Sequence, residues 1–180
     1  MDNVEFSVSH TTRPKRPMEK EGRDYYFTGR EEFAGLVEKD ELLEWAEVHG
    51  HLYGTSRREI SKKSSSGDVL LDIDVQGASQ VRQKITNAVF VFILPPRYRE
   101  LKKRLEQRGE DDPNIIQRRL ETARKEIQSY TDFDYIIIND DLDQAAEKLK
   151  SIVAAARCRI DERRKQIGPV LKSFLERKPE

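Results

Sequence analysis

Asp68–Arg82 reads DVLLDIDVQGASQVR, and the change of pattern within it decides the fold class. Val69, Leu70, Leu71 and Ile73 form an almost unbroken apolar run of strand length that carries two acids, Asp72 and Asp74, at its carboxyl end; Gln76–Ile85 then takes up helical spacing. A second run, Ala88–Leu94 (AVFVFIL), is stopped by Pro95 and Pro96, and a third, Tyr135–Ile138, is closed by Asn139, Asp140 and Asp141. Between them lie two amphipathic helices, Tyr98–Arg108 and Asn114–Tyr130, the second with Pro113 suited to its first turn. Strands apolar on both faces that alternate with helices imply an α/β protein whose parallel sheet is covered on both sides. Leu142 to about Lys165 reads as one long helix broken by Pro169, with Val170–Arg177 as a short further helix.

The amino-terminal third has a different texture. Phe6–Thr11 alternates apolar and polar residues as a strand does, and Thr12–Pro17 then places Arg13, Lys15 and Arg16 within four residues. Pro14 and Pro17 fix backbone angles there, so the guanidinium groups lose little further freedom on meeting an anion; a solvated basic loop explains the same residues. Tyr25–Phe27 reads as a short strand and Arg30–Lys39 as a helix burying Phe33, Leu36 and Val37, with Thr28 and Glu31 placed as a capping box. Leu42–His49 (LLEWAEVH) is a strand that puts Glu44, Ala46 and Val48 on one face, although an acid on a strand is ordinarily solvated. Gly50–Thr55 is expected to be a tight turn bearing the Tyr53 and Thr55 hydroxyls, and Ser56–Ser66 a polar helix ended by Gly67.

The 180 residues suit one domain with inserted lobes, and 33 basic against 33 acidic residues leave no net charge. General electrostatic capture of nucleic acid or of a membrane surface is therefore unsupported, and an anion site has to be a local cluster of Arg and Lys. One cysteine, Cys158, excludes an intramolecular disulfide framework and a zinc cluster, no run is long and apolar enough to span a membrane, and the cytoplasm is the expected compartment. His10, His49 and His51 form no ligand set, so no protein-held metal is expected.

Seven stretches, in order, resemble guanylate kinases: FSVSHTTRPKRP (Phe6–Pro17), GRDYYF (Gly22–Phe27), EEFAGLVEKDELLEWAEVHGHLYGT (Glu31–Thr55), DVLLDIDVQGASQVR (Asp68–Arg82), FILPP (Phe92–Pro96), LKKRLEQRG (Leu101–Gly109) and IIINDDLDQA (Ile136–Ala145). The resemblance implies a P-loop-kinase-like parallel core (68–108 and 125–156), a small mixed β lobe for GMP (6–67) and a helical lid (109–124), with 157–180 a helical extension beyond the match. It implies transfer of the γ-phosphoryl group of ATP, with Mg2+, to GMP. Position by position, Ser9, Arg13, Arg16, Tyr25 and Tyr53 would grip the phosphate of GMP, and Glu44, Thr55 and Asp74 would read the guanine edge. Arg104, Arg108 and Arg119 would close over the phosphates of ATP, Asn139 would meet its adenine, and Asp72 would steer a water on the magnesium ion. The sequence sets no oligomeric state.

The resemblance also implies a strand, a Gly-rich phosphate loop and a helix ahead of Phe6, and no G-x-x-x-x-G-K-[ST] occurs in the 180 residues. Taken alone, the chain is expected to keep GMP binding and to be severely impaired in ATP-dependent transfer. Met1 then reads as an internal methionine of a longer kinase. The alternatives are a module that binds GMP or a phosphopeptide in the same pocket, and an interaction protein using the polar carboxyl-terminal helix.

Overall fold

The computed structural model describes residues 1–108 and 112–175, and the side chains of 108 and 161–166 lie outside that description. Two kinds of sheet share the chain. Strands β1 (Val4–Phe6), β2 (His10–Thr11) and β3 (Tyr26–Phe27) precede helix α1 (Arg30–Glu38); β4 (Leu42–Val48) and β5 (His51–Ser56) lead into α2 (Arg57–Ser64). The small lobe is a four-stranded sheet in the order β3-β2-β5-β4, mixed because β2 and β3 run parallel while β5 is antiparallel to both its neighbours.

The carboxyl-terminal part holds β6 (Asp68–Leu70), α3 (Val75–Lys84), β7 (Val91–Leu94), α4 (Tyr98–Arg108), α5 (Pro113–Glu126), a 3-10 turn at Ile127–Asp132, β8 (Tyr135–Ile138), α6 (Leu142–Ala156) and α7 (Ile160–Leu175). All its strand pairs are parallel: β1 with β6, and β7 with β8. Among the described residues β6 and β7 do not pair with each other. A groove of about 680 Å3 lies there, lined by Leu70, Val91, Leu149, Ile152 and Val153 among others. Leu43, Ala78, Val81 and Phe90 form the buried core that ties the lobe to this part.

Several expectations are corrected. Phe6–Thr11 is two strands in two sheets, because after β1 pairs with β6 the chain crosses at residues 7–9 to the small lobe. Gly50–Thr55 is strand rather than turn: the reversal is carried by His49 (φ 53°) and Gly50 (φ 85°), both left-handed as a two-residue hairpin of primed type requires. Thr28 does not cap α1; Gly29 is the N-cap without a side-chain bond, and the Thr28 hydroxyl is buried with no partner among the described residues. Strand β6 stops at Leu70, so Asp72 and Asp74 lie beyond it, and Asp74 instead caps α3 by accepting the Gly77 N–H at 2.8 Å. The helix expected over Leu142–Lys165 breaks after Ala156, where the Arg157 guanidinium is pinned to Asp68 Oδ2 (2.6 Å) and to the Asp2 and Asn3 carbonyls. Pro169 is taken up inside α7 and ends nothing.

Candidate functional site

The lobe and helix α5 enclose a cavity of about 340 Å3. Its walls include seven of the residues singled out in the sequence: Ser9, Tyr25, Glu44, Tyr53, Asp72, Asp74 and Arg119. Two larger cavities, of about 660 and 680 Å3, bring none of those residues together.

Glu44 sits at the acidic end. It lies on β4 with 3% of its surface exposed, opposite the fully buried Thr55 of β5. A register irregularity between Leu42 and Glu44 buries Leu43 as well, which simple alternation would have sent to the other face. The carboxylate packs so closely on the first turn of α3 that a Cβ at Gly77 would come within 2.5 Å of Glu44 Oε2. Burial pushes the Glu44 carboxyl above the usual range; the neighbouring Thr55 opposes the rise and the negative charge of Asp74 adds to it. A carboxylate in this position has given up water and asks for N–H donors from a ligand. Thr55 Oγ1, also buried, has no well-formed hydrogen bond among the described residues.

The other end is cationic and hydroxylic. Tyr25 and Tyr53 meet edge to face with ring centroids 6.0 Å apart, and the Arg13 guanidinium lies 5.4 Å from the Tyr25 ring centre. Burial raises the Tyr25 hydroxyl, helped by Tyr53, so it stays a proton donor. The basic loop is held by Glu19, which accepts from the Arg13 guanidinium at 2.5 Å and from the Arg16 backbone N–H at 2.8 Å. That ion pair pulls Glu19 below its ordinary value. Arg13 thus meets a carboxylate in the ligand-free protein, as a site with affinity for anions would.

A sequence model of the family described as guanylate kinase matches residues 1–156. The chain belongs to the guanylate kinase family. A guanylate kinase of Thermotoga maritima is 48% identical over 161 residues, covering 89% of this chain and 78% of that protein. One of Chelativorans sp. is also 48% identical, over 178 residues, covering 98% and 81%. The crystal structure of guanylate kinase from Anaplasma phagocytophilum superposes with a TM-score of 0.80 at 32% identity, covering 98% of this chain and 87% of that one. The fold is therefore that of the family, and the protein is a nucleoside monophosphate kinase.

In this guanylate kinase a second group of predicted residues lies apart from the cavity. Arg104 of α4 donates to the Asn139 carbonyl at 2.8 Å and the Asp140 carbonyl at 3.4 Å, and pairs with Glu100 at 3.2 Å. Arg104 and Asn139 are thus brought together at the carboxyl end of β8. Asn139 does not cap α6; Asp141 does, accepting from Gln144 N–H at 2.9 Å. The Arg108 side chain, like residues 109–111 of the expected lid, is outside the described residues. Asp72 is exposed and lines the cavity. Sequence reasoning missed Gly77, Thr122 and Glu126. A glycine and two polar residues on amphipathic helices carry no local signal of a site.

Proposed function

We propose that the protein transfers the γ-phosphoryl group of ATP to the phosphate of GMP, giving ADP and GDP, in the cytoplasm. The observation that carries this reading is one cavity lined by a desolvated carboxyl, Glu44, together with Tyr25, Tyr53 and Arg119. Guanine presents an N1–H and a 2-amino group side by side, and Glu44 accepts from both, with Thr55 and Asp74 beside it. Adenine offers an acceptor at N1 and no amino group next to it, so AMP would leave Glu44 buried and unpaired. Sites that work by such pairing reject the wrong ligand by about four orders of magnitude.

Ser9, Arg13, Arg16, Tyr25 and Tyr53 hold the monophosphate in this reading. The acceptor oxygen is already ionised, so the step needs neutralised charge and alignment more than a base. Arg119 faces the cavity; with Arg104 and Arg108 it would spread positive charge around the moving phosphoryl group. Asn139 would meet the adenine of ATP. Among the described residues no group of three or more His, Cys, Asp or Glu could hold a metal ion. Mg2+ would be carried mainly by the nucleotide phosphates, with Asp72 steering one of its waters. When bound, the ion supplies charge neutralisation of those phosphates.

The test is an assay of ADP release coupled to GMP or AMP, run on residues 1–180 and on a chain carrying the family's Gly-rich loop ahead of Phe6. GMP-dependent turnover by the extended chain, at least about a hundredfold above AMP, is the expected result. Equal turnover of the two nucleotides would overturn the proposal.

A further inference from the structure

Glu126 ends helix α5 and turns into the same cavity as Glu44 and Asp74. It is half-buried, and among the described residues it makes no hydrogen bond or ion pair. Its neighbours on the cavity side of α5 are Arg119 and Thr122, at the spacing that keeps side chains on one helix face. The base end of the cavity is therefore closed by three carboxyl groups from three different elements: β4, the cap of α3, and α5.

These carboxyls are not equivalent. Asp74 has both oxygens engaged, Oδ1 by the Gly77 N–H (2.8 Å) and Oδ2 by the Gln76 amide (3.2 Å). Glu44 is committed by burial to the edge it faces. Glu126, less buried than Glu44, brings a carboxylate whose oxygens no described residue engages. Burial, and then the charge of Asp74, lift it above the ordinary carboxyl range. A half-buried acid beside two others is an unfavourable arrangement in a ligand-free protein, and N–H donors from a ligand relieve it.

We propose that Glu126 is a specificity-determining residue of the monophosphate pocket, accepting the N–H of the guanine 2-amino group that Glu44 does not take. This rests on the guanine reading above. It assigns α5 two tasks: Glu126 senses the 2-amino group while Arg119, on the same face, meets phosphate.

Calorimetry on the full chain tests it with GMP, with IMP, which lacks the 2-amino group and keeps N1–H, and with AMP. Glu126→Ala should weaken GMP by about tenfold, the loss expected for one hydrogen bond to a charged group, and leave IMP within twofold. Glu126→Gln, which keeps an acceptor oxygen, should recover part of the loss and serves as the readout if the alanine variant folds poorly by circular dichroism. Equal losses for GMP and IMP would mark Glu126 as merely structural, and no loss for either would leave it without a role; each overturns the proposal. Wild-type protein that binds GMP no better than AMP would overturn the guanine reading itself, whatever the variants do.

Discussion

The small lobe and the parallel core treat their strand edges in opposite ways. In the lobe the outer edge of β4 is covered by α3: the Gln80 amide accepts the Trp45 N–H (3.2 Å) and donates to the Trp45 carbonyl (2.6 Å), while Lys84 Nζ donates to the Leu43 carbonyl. Two side chains thus stand in for a neighbouring strand. In the core, β6 and β7 line a groove and have no strand partner on that side among the described residues, and Phe6, Ile93, Ile136 and Ile138 remain about half exposed. Open edges and exposed apolar side chains invite pairing with another strand. Glu44, the proposed base-reading carboxylate, thus sits on a covered strand, whereas among the described residues the parallel strands are open between β6 and β7.

The largest expected contrast is in backbone opening. Amides of β4 and β5 should exchange with solvent about a thousandfold more slowly than those of β6 and β7 that face the groove, as read by native-state hydrogen exchange. Uniform protection across both sheets would erase the comparison. Next in size, Glu44→Ala should weaken GMP by about a hundredfold and inorganic phosphate by less than twofold, both by calorimetry. Parallel losses would remove the base-reading role of Glu44. Gly77→Ala pushes a methyl group against the Glu44 carboxylate and should weaken GMP by about tenfold while the lobe still melts cooperatively; an unchanged affinity would mean that the carboxylate can move aside.

The smallest effect runs the other way. Because burial raises Glu44, the folded state disfavours its charge, so the ionised carboxylate costs stability and the cost grows as pH rises from the unfolded titration range through the raised folded value. Glu44→Gln should therefore stabilise the ligand-free protein by about 1 kcal/mol at pH 8 and by almost nothing near pH 4, in urea titrations. A loss of stability at pH 8 would show that Glu44 is paired after all.

Legibility in the sequence followed how local each signal is. Helix α4 and strand β8 fall where the periodicity placed them, since Pro96 and the acids after Ile138 mark their ends within a few residues. The hairpin at His49–Gly50 and the handover from β1 to β2 depend on which strand pairs with which, and alternation says nothing about partners. The break at Arg157 needs Asp68 and the amino terminus to meet it, and that contact spans 89 residues to Asp68. The arginines and tyrosines proposed to hold the phosphate stood out by residue type. Gly77 and Glu126 did not, because a helical glycine matters only through the side chain packed on it and a helical glutamate only through the cavity it faces.

Relative affinity for the two purine monophosphates decides whether Glu44 reads the base. On folded protein, calorimetry should find GMP bound at least about a hundredfold more tightly than AMP, because only guanine satisfies the buried Glu44. Equal affinity for the two would mean that Glu44 does not select guanine.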